Sequence, residues 1–351
     1  MGSLIDERVR KFSGITDAIK EKNGDIVIVV NHVDPDSVGA AFGCKEILNF
    51  LGCENVEMTY SGTISHPQNK EIFNQFGLYD SFCNVESFHC DKEATFIWLD
   101  SSRIEDSRLP DQYAKIIPTI VIDHHRGEDL PDEGQDYFFW VEDIGSTSTL
   151  ICELGQKLEV AFSKGARTLL ALGIHNDTKS LIKASNRDIG AFDYLKGDDI
   201  SADLNALNSF ELPPSFFEIF LHALASKDVQ NENMIANAGI LGSEDGDFLS
   251  IIADQMILER GRSLVVVWGV IGNKVRIAAR SKGSGISLNE LLKDKFGKEN
   301  AGAKFTPDKR GEGGALLSIG FLHPTKDKVV QKEILAAISA LLKNKLFSED
   351  E

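Results

Sequence analysis

The chain has 351 residues, of which 42% are hydrophobic and 26% charged, and this predicts an ordinary globular protein with about two domains. Its formal net charge of −17 disfavours binding to long duplex DNA, because a strongly acidic surface repels extended polyanions. The five cysteines are widely spaced and form no Cys-x-x-Cys pair, which favours free thiols over a disulfide framework or a structural zinc site.

The sequence carries no sign of membrane attachment or secretion. Its first residues lack the apolar core of a signal peptide, and no apolar run reaches the ~18–20 residues needed to span a bilayer. Free thiols also fit a reducing compartment. We therefore expect a cytoplasmic protein without a membrane partner.

The first half of the chain alternates strand patterns with helix patterns. An amphipathic helix is predicted over 5–22, and the continuous β-branched run at 25–31 (DIVIVVN) is typical of a buried parallel strand. The elements predicted next are a helix over 39–51, strands at 56–60, 94–99 and 117–122, and helices over 146–158 and 164–174. This alternation predicts an α/β fold, with a mainly parallel sheet flanked by helices.

The pattern changes after residue 190. A helical segment over 191–230, which contains Pro213 and Pro214, is predicted to connect a catalytic domain (1–190) to a second domain (231–351). The elements predicted there are strands at 248–253, 263–270 and 274–279, a hairpin turn at Gly272-Asn273, a helix over 288–296, a Gly-rich loop over 311–320 and a helix over 331–345. These elements predict a second, smaller α/β domain.

Asp and His side chains follow four separate apolar runs. They are His32, Asp34 and Asp36; Asp100; Asp123, His124 and His125; and His175 and Asp177. Taken singly, an Asp after a strand is commonly a helix cap or turn residue, and paired histidines are commonly surface residues. Together they predict a site for a divalent metal, since the carboxyl ends of parallel strands share one edge and hard cations prefer carboxylates with imidazoles.

The ordered motifs resemble those of the DHH phosphoesterase superfamily, in its RecJ-like, nano-RNA and dinucleotide phosphodiesterase branch. Asp123-His124-His125 resembles the motif that names the family, and HVDPD at 32–36 resembles its first motif. GSTST at 145–149 and GIHNDTKSL at 173–181 resemble later motifs of the catalytic domain. RIAARSK at 276–282 and RGEGGALLSIGF at 310–321 resemble the DHH-associated C-terminal domain.

The resemblance implies a metal-binding role for several residues. The implied ligands are His32 and Asp36 for one ion, Asp100 as a bridge, and His124 and Asp177 for a second ion, with Asp34 as a further candidate. The implied ion is Mn²⁺, with Mg²⁺, Co²⁺ or Fe²⁺ as alternatives.

The resemblance also implies catalytic and substrate-binding residues. His125 would act as a general acid or charge stabiliser beside Asp100, and Asp123 would orient the histidines without binding metal. The implied substrate-binding residues of the second domain are Arg280, Ser281, Arg310, Gly313 and Gly314.

Two positions depart from the family pattern. Val38 stands where a further metal-binding Asp is usual, and Ala315 stands where the Gly-Gly-His motif has its histidine. The five retained ligand positions, Arg280 and the net charge of −17 nevertheless lead us to expect hydrolysis of a short oligoribonucleotide, a dinucleotide or a nucleoside bisphosphate. The alternatives are a degenerate protein that binds a nucleotide or a partner without efficient hydrolysis, and a pyrophosphatase or exopolyphosphatase. The resemblance makes a homodimer plausible, but no residue in the sequence argues for one.

Overall fold

A computed structural model describes residues 4–22, 24–89, 94–102, 113, 116–125, 134, 136–282, 287–305, 311–320 and 327–347. The chain divides into two compact units, the first comprising residues up to Ile64 with Gln68–Phe210, and the second comprising Ser65–Pro67 with Glu211 onward. The segment that the sequence predicts as a separate connector is thereby divided at Phe210. Within the described residues, no helix is both long and apolar enough to cross a bilayer.

The first unit contains seven helices and six strands among its described residues. Its helices are α1 (Leu4–Lys22), α2 (Pro35–Phe50), α3 (Pro67–Gln75), α4 (Thr147–Lys157), α5 (Lys164–Asp177), α6 (Asn186–Leu195) and α7 (Asp198–Asn208). Its strands are β1 (Ile26–Val30), β2 (Val56–Tyr60), β3 (Phe82–Asn84), β4 (Thr95–Leu99), β5 (Ile120–Asp123) and β6 (Phe138–Val141).

The six strands form one sheet in the order β3-β2-β1-β4-β5-β6, and every neighbouring pair is parallel. All five residues of β1 are buried, because the strand is covered on both faces. Ile26, Ile28 and Val30 pack with the helices in one apolar cluster, whereas Val27 and Val29 pack in a second cluster. The predicted parallel sheet flanked by helices is confirmed.

Two helices of this unit are longer than the sequence predicted. Helix α2 begins at Pro35 rather than at residue 39, because Asp34 caps it and a proline is well accommodated in the first turn. Helix α5 continues past residue 174 to Asp177, so the polar residues after the apolar run lie in the last helical turn.

The second unit contains four helices and six strands among its described residues. Its helices are α8 (Pro214–Ser226), α9 (Phe248–Met256), α10 (Leu288–Phe296) and α11 (Lys328–Phe347). Its strands are β7 (Asp228–Gln230), β8 (Asn233–Leu241), β9 (Leu264–Ile271), β10 (Lys274–Ser281), β11 (Ala301–Phe305) and β12 (Gly311–Ser318). They form a sheet in the order β11-β12-β10-β9-β8-β7, in which only the β8–β9 pair is parallel.

Two predictions for the second unit are wrong. Residues 248–253 form helix α9 rather than a strand, since the buried Phe248, Leu249, Ile252 and Met256 recur with helical spacing. The Gly-rich segment from residue 311 forms strand β12 rather than a loop. The predicted hairpin turn is confirmed, because Gly272 has a φ of 57° between the antiparallel strands β9 and β10.

Candidate metal centre

The strand order of the first unit reverses direction between β1 and β4, and ligand sites of open α/β sheets lie at the carboxyl ends of strands at such a point. Four predicted ligands lie there on separate segments. Asp36 is in the first turn of α2, Asp100 follows β4, His124 follows β5, and Asp177 is the last residue of α5. The fold therefore brings together residues that are far apart along the chain.

His124 is the centre of this group. Its Nδ1 lies 3.1 Å from the carbonyl oxygen of Ile144, which can only accept a hydrogen bond, so Nδ1 donates. Its Nε2 lies 3.2 Å from Asp177 Oδ2, 3.4 Å from Asp100 Oδ1 and 3.9 Å from Asp36 Oδ2. In the neutral imidazole, Nε2 thus presents its lone pair to three carboxylates.

These atoms fit a divalent ion. Nε2 of His124 is buried and makes no hydrogen bond of acceptable geometry within the described residues. An ion with bonds of ~2.0–2.2 Å holds neighbouring ligand atoms about 3 Å apart, close to the separations found here. Two overlapping sets of residues offer ligand atoms, and within each set these atoms lie within 4.8 Å of one another. One set is Asp36, His124 and Asp177, and the other is Asp100, His124 and His125. An ion bound by them would neutralise carboxylates that otherwise repel one another.

The protonation of the group reflects this crowding of negative charge. Burial, with the nearby charge of Asp177, raises the pKa of Asp36 to about 7. Burial, followed by the charges of Asp34 and Asp36, holds the pKa of Asp100 well above its ordinary value. Burial opposes the protonation of His124, but the contact with Asp177 and the charges of Asp36 and Asp100 raise its pKa to about 10. Without an ion, a proton on His124 supplies the positive charge.

The first turn of α4 holds two of the carboxylates in place. The backbone N–H groups of Thr147 and Ser148 donate to Asp36 Oδ2 and Oδ1, at 2.7 and 2.8 Å. The hydroxyl of Thr147 donates to Asp100 Oδ1 at 3.0 Å. The sequence indicates only that GSTST (145–149) lies at the start of a helix. The signal that could have pointed to a functional role is this run of small hydroxyl residues after the histidines. Thr147 and Ser148 are therefore functional candidates that sequence reasoning missed.

Asp100 has a left-handed backbone conformation, with a φ of 57°. Residues other than glycine seldom adopt this conformation, and Asp and Asn tolerate it best. The N–H of Asp100 donates to the carbonyl oxygen of Ile122 on β5, which fastens the turn to the neighbouring strand. A strained residue held by its surroundings is common at functional sites.

His125 is held by Asp123, which lies at the end of β5. Asp123 Oδ1 accepts hydrogen bonds from the backbone N–H of His125 at 3.0 Å and from its Nδ1 at 2.8 Å. Burial opposes ionisation of Asp123, but the hydrogen bonds from His125 lower its pKa below the ordinary value. His125 Nδ1 also lies 3.6 Å from Asp100 Oδ1. Asp123 thus fixes the tautomer and ring orientation of His125.

Three residues of the first motif lie in other environments. His32 is exposed and belongs to neither set of ligand atoms described above. Asp34 caps α2, since its Oδ1 accepts the N–H of Ser37 at 2.9 Å, yet its charge still raises the pKa of Asp100. Val38 packs in the apolar core of the first unit, with 1% of its surface exposed. The structure therefore places Asp34, but not Val38, where it can influence the carboxylate group.

Two of the substrate-binding residues predicted in the second unit, Arg280 and Ser281, have hydrogen-bond partners within that unit. The guanidinium of Arg280 pairs with Asp254, with Nε 2.5 Å from Oδ1 and Nη2 3.1 Å from Oδ2. Ser281 is buried, and its hydroxyl accepts the N–H of Gly311 at 3.1 Å. Arg310 lies outside the described residues. A substrate contact by Arg280 would require the pair with Asp254 to be shared or broken.

Gly313 and Gly314 lie in strand β12 rather than in a loop. A Cβ at Gly313 would come within 2.5 Å of the Cβ of Ala303 on β11, and a Cβ at Gly314 would collide with the carbonyl oxygen of Ile277 on β10. Ala315 is buried in the same strand, opposite Ile277. Close packing between neighbouring strands therefore explains the two glycines without a ligand.

The raised pKa of His124 predicts a pH dependence for metal binding. Because His124 has a pKa of about 10 in the metal-free protein, Nε2 must lose a proton before it can bind an ion. Above the pKa of Asp36, which is about 7, we expect the Kd for Mn²⁺ to fall by about tenfold for each pH unit up to about pH 9, with release of about one proton for each ion bound.

Isothermal titration calorimetry in buffers of different ionisation enthalpy counts these protons. Metal binding strengthens as the pH rises because the pKa of His124 is raised above its ordinary value. The imidazolium, which cannot bind an ion through Nε2, therefore remains favoured until the pH approaches about 10. A Kd that does not vary with pH, with no proton released, would exclude His124 as a ligand.

Comparison with known proteins places this geometry in a family context. The model of the DHH family, N-terminal domain, matches residues 26–174, which include β1 to β6 and most of α5. The uncharacterized protein MJ1633 of Methanocaldococcus jannaschii is 26% identical over 298 residues, and the match covers 84% of this chain but only 60% of that protein. A manganese-dependent inorganic pyrophosphatase of Methanothrix thermoacetophila is 29% identical over 156 residues, 44% of this chain and 48% of the pyrophosphatase.

One solved structure has a similar fold over most of the chain. An exopolyphosphatase-related protein from Bacteroides fragilis superposes with a TM-score of 0.61 and 16% sequence identity. The superposition covers 95% of this chain and 96% of that protein. At this identity the similarity extends to the fold alone.

Proposed function

We propose, from the match of residues 26–174 to the DHH family, N-terminal domain, that the protein is a metal-dependent phosphoesterase acting on a small phosphorylated nucleotide compound. The observation that carries the proposal is the approach of three carboxylates to one buried imidazole nitrogen. Asp36, Asp100 and Asp177 have oxygens within 3.9 Å of Nε2 of His124, which has no hydrogen-bond partner in the described part of the chain. Ionised carboxylates this close together need a positive charge beside them, which a bound ion would supply in place of the proton on His124.

Mn²⁺ is the proposed ion, with Mg²⁺, Co²⁺ or Fe²⁺ as alternatives. Its candidate ligands are Asp36, Asp100, His124 and Asp177, which fall into two sets, Asp36 with His124 and Asp177, and Asp100 with His124 and His125. A divalent ion there would lower the pKa of a bound water and screen the oxygens of a phosphate. The carboxylate ligands and the relative with a manganese-dependent activity support this choice, because Mn²⁺ prefers hard oxygen ligands together with imidazole.

His125 is the proposed proton donor to the leaving oxygen. Asp123 accepts the proton of Nδ1, so the second proton of the imidazolium form is on Nε2, and this is the proton that would pass to the leaving oxygen and leave a neutral ring. Removal of the negative charge from that oxygen lowers the barrier to P–O cleavage. The ring of His125 is partly exposed, at 36% of its side-chain surface, which is compatible with contact to a substrate. Asp123 would then act by orienting and charging this ring.

A small substrate fits the charge of the protein. With a net charge of −17, a long nucleic acid strand would be repelled, whereas a short oligoribonucleotide, dinucleotide or nucleoside bisphosphate needs only the local field of the bound ion. Pyrophosphate is the second candidate substrate, and it is favoured by the similarity to the pyrophosphatase of Methanothrix thermoacetophila. Nucleotide binding without hydrolysis is the third candidate, and it is favoured by the loss of a carboxylate at Val38.

One assay with three substrates separates these candidates. Metal-stripped protein is incubated with Mn²⁺ and either bis(p-nitrophenyl) phosphate, the dinucleotide pApA or inorganic pyrophosphate, with EDTA as the control. We expect release of p-nitrophenol and of AMP that EDTA abolishes, and faster turnover of pApA than of pyrophosphate. Hydrolysis of pyrophosphate, without hydrolysis of the other two compounds, would identify a pyrophosphatase and contradict the proposed nucleotide substrate. Tight binding of pApA that stays intact with Mn²⁺, Mg²⁺, Co²⁺ and Fe²⁺ would contradict hydrolysis.

A further inference from the structure

Asp188 is a completely buried carboxylate in the third position of helix α6. Its Oδ2 accepts the N–H of Ser185 at 2.7 Å and so completes the capping box of this helix. That bond uses only one of the two carboxylate oxygens. Its Oδ1 accepts the hydroxyl of Thr149 at 2.7 Å, and Thr149 lies 39 residues earlier in the first turn of α4. The buried charge therefore joins α6 to α4 in addition to capping its own helix.

The direction of the hydrogen bonds at α4 follows from the donors available. A carboxylate only accepts, so the single hydroxyl proton of Thr149 points to Asp188. Ser146 Oγ lies 3.0 Å from Thr149 Oγ1 and must therefore donate to it, while it accepts the N–H of Thr149 at 3.1 Å. This chain of bonds ties the cap of α4 to Asp188. Removal of the hydroxyl at Thr149 would break two of its bonds at once.

Gly145 makes a second contact between Asp188 and this turn. A Cβ at Gly145 would lie 2.5 Å from Asp188 Oδ2 and 2.6 Å from the Cγ2 of Thr178. Glycine is therefore required just before the cap of α4, because any side chain would displace Asp188 or the start of α4. Asp188 thus bonds to Thr149 and also leaves no room for a side chain at Gly145.

The same turn holds the carboxylates of the metal centre. Thr147 N–H and Ser148 N–H donate to the two oxygens of Asp36, and the Thr147 hydroxyl donates to Asp100. A displacement of this turn would move both carboxylates relative to His124. Partners that orient metal ligands in this way typically change metal affinity or activity by about 10- to 100-fold when they are removed.

We propose that Asp188 is a positioning residue of the metal centre, which acts through Thr149 and the first turn of α4 to hold Asp36 and Asp100 at the distances that bind the ion. The inference rests on the proposed metal centre. It goes beyond that proposal because Asp188 and Thr149 touch neither the ion nor the substrate.

The matched pair Thr149→Val and Thr149→Ser tests this role. Valine has nearly the shape of threonine but no hydroxyl, whereas serine keeps the hydroxyl that bonds Asp188. We expect Thr149→Val to raise the Kd for Mn²⁺ by about tenfold or more, measured from the electron paramagnetic resonance signal of free Mn²⁺, and Thr149→Ser to stay within about threefold of wild type.

Asp188→Asn is the second variant and provides a result if Thr149→Val does not fold. An amide has one acceptor oxygen, so it can accept from Ser185 or from Thr149 but not from both. We expect it to raise the Kd for Mn²⁺ and to lower kcat with little change in KM, because the ion and not the substrate is displaced.

Thr168→Val is the control for the loss of a buried hydroxyl in the same unit. The hydroxyl of Thr168 donates to the carbonyl oxygen of Lys164 within α5, so this hydrogen bond does not involve the turn of α4. Equal losses of thermal stability in Thr149→Val and Thr168→Val, with Mn²⁺ affinity unchanged in both, would overturn the inference while leaving the proposed function intact. A wild-type protein that binds Mn²⁺ but hydrolyses nothing would contradict the phosphoesterase, and the Kd values would still decide the role of Asp188. A wild-type protein that binds no Mn²⁺ overturns both.

Discussion

Asp100→Asn is expected to lower kcat by about 10³-fold and to weaken Mn²⁺ binding, while it raises the melting temperature of the metal-free protein. The loss of activity follows because Asp100 is one of the carboxylates around His124 and accepts a hydrogen bond from the hydroxyl of Thr147. An amide at this position keeps the shape but supplies no negative charge to a cation. The two effects have opposite signs because the negative charge of Asp100 stabilises the metal-bound protein and destabilises the metal-free protein.

The gain in stability follows from burial and backbone conformation. The pKa of Asp100 is held well above its ordinary value, so ionisation of this carboxylate costs free energy in the folded protein. Asparagine removes that cost and also tolerates the left-handed φ of 57°. A gain of about 1 kcal/mol corresponds to about 2–4 °C in a unit of this size.

Differential scanning calorimetry with EDTA and with Mn²⁺ measures both effects. The wild-type protein should be stabilised by about 2.7 kcal/mol when Mn²⁺ is present at 100 times its Kd, and Asp100→Asn should lose most of this stabilisation. Asp193→Asn is the matched control, because Asp193 is exposed on α6 and away from the carboxylate group. If Mn²⁺ stabilises Asp100→Asn as much as wild type, Asp100 is not a ligand.

His125→Gln separates a proton donor from a metal ligand. We expect kcat to fall by about 10²- to 10³-fold, while the Kd for Mn²⁺ stays within about threefold of wild type. The physical reason is that Nδ1 of His125 is bonded to Asp123 at 2.8 Å and lies 3.6 Å from Asp100, so the ring is oriented by carboxylates rather than bound among them. Glutamine preserves a polar side chain there but cannot donate a proton from an acidic group.

Two measurements and one control complete this test. Metal affinity is measured by titration with Mn²⁺, and kcat is measured with pApA. His89→Gln is the control, because His89 is an exposed histidine of the same unit. A tenfold or larger increase in Kd for His125→Gln would instead identify His125 as a ligand in the set that it forms with Asp100 and His124.

The sheet of the first unit could be predicted from the sequence because its signals are local. Continuous apolar runs such as β1, separated by helical patterns, specify parallel strands that are buried on both faces. The acidic and imidazole residues follow these runs directly, so their position at the carboxyl edge also follows from sequence. This is why Asp36, Asp100, His124 and Asp177 are among the Asp and His candidates that the pattern provides, whereas their role as ligands is what the family resemblance implies.

The second unit shows where local signals are insufficient. A short apolar run such as residues 248–253 suits a strand or a buried helix, and only its packing identifies α9. Glycine is rare in strands, so residues 311–318 read as a loop. Only the approach of β10 and β11 to Gly313 and Gly314 explains a strand there.

What the sequence by itself determined is therefore the set of metal-binding candidates and the mainly parallel character of the first sheet, since both depend on patterns that are local along the chain. The tertiary structure alone decided how the candidates are held. Thr147 donates a hydrogen bond to Asp36 although the two residues are 111 positions apart, and Thr149 donates one to Asp188, which is 39 positions away. His32, a candidate by sequence, is exposed outside the group, and Arg280 is paired with Asp254. Hydrogen bonds between distant segments depend on how the segments pack, and they cannot be predicted from hydrophobic periodicity or from the helix and strand propensities of the residues.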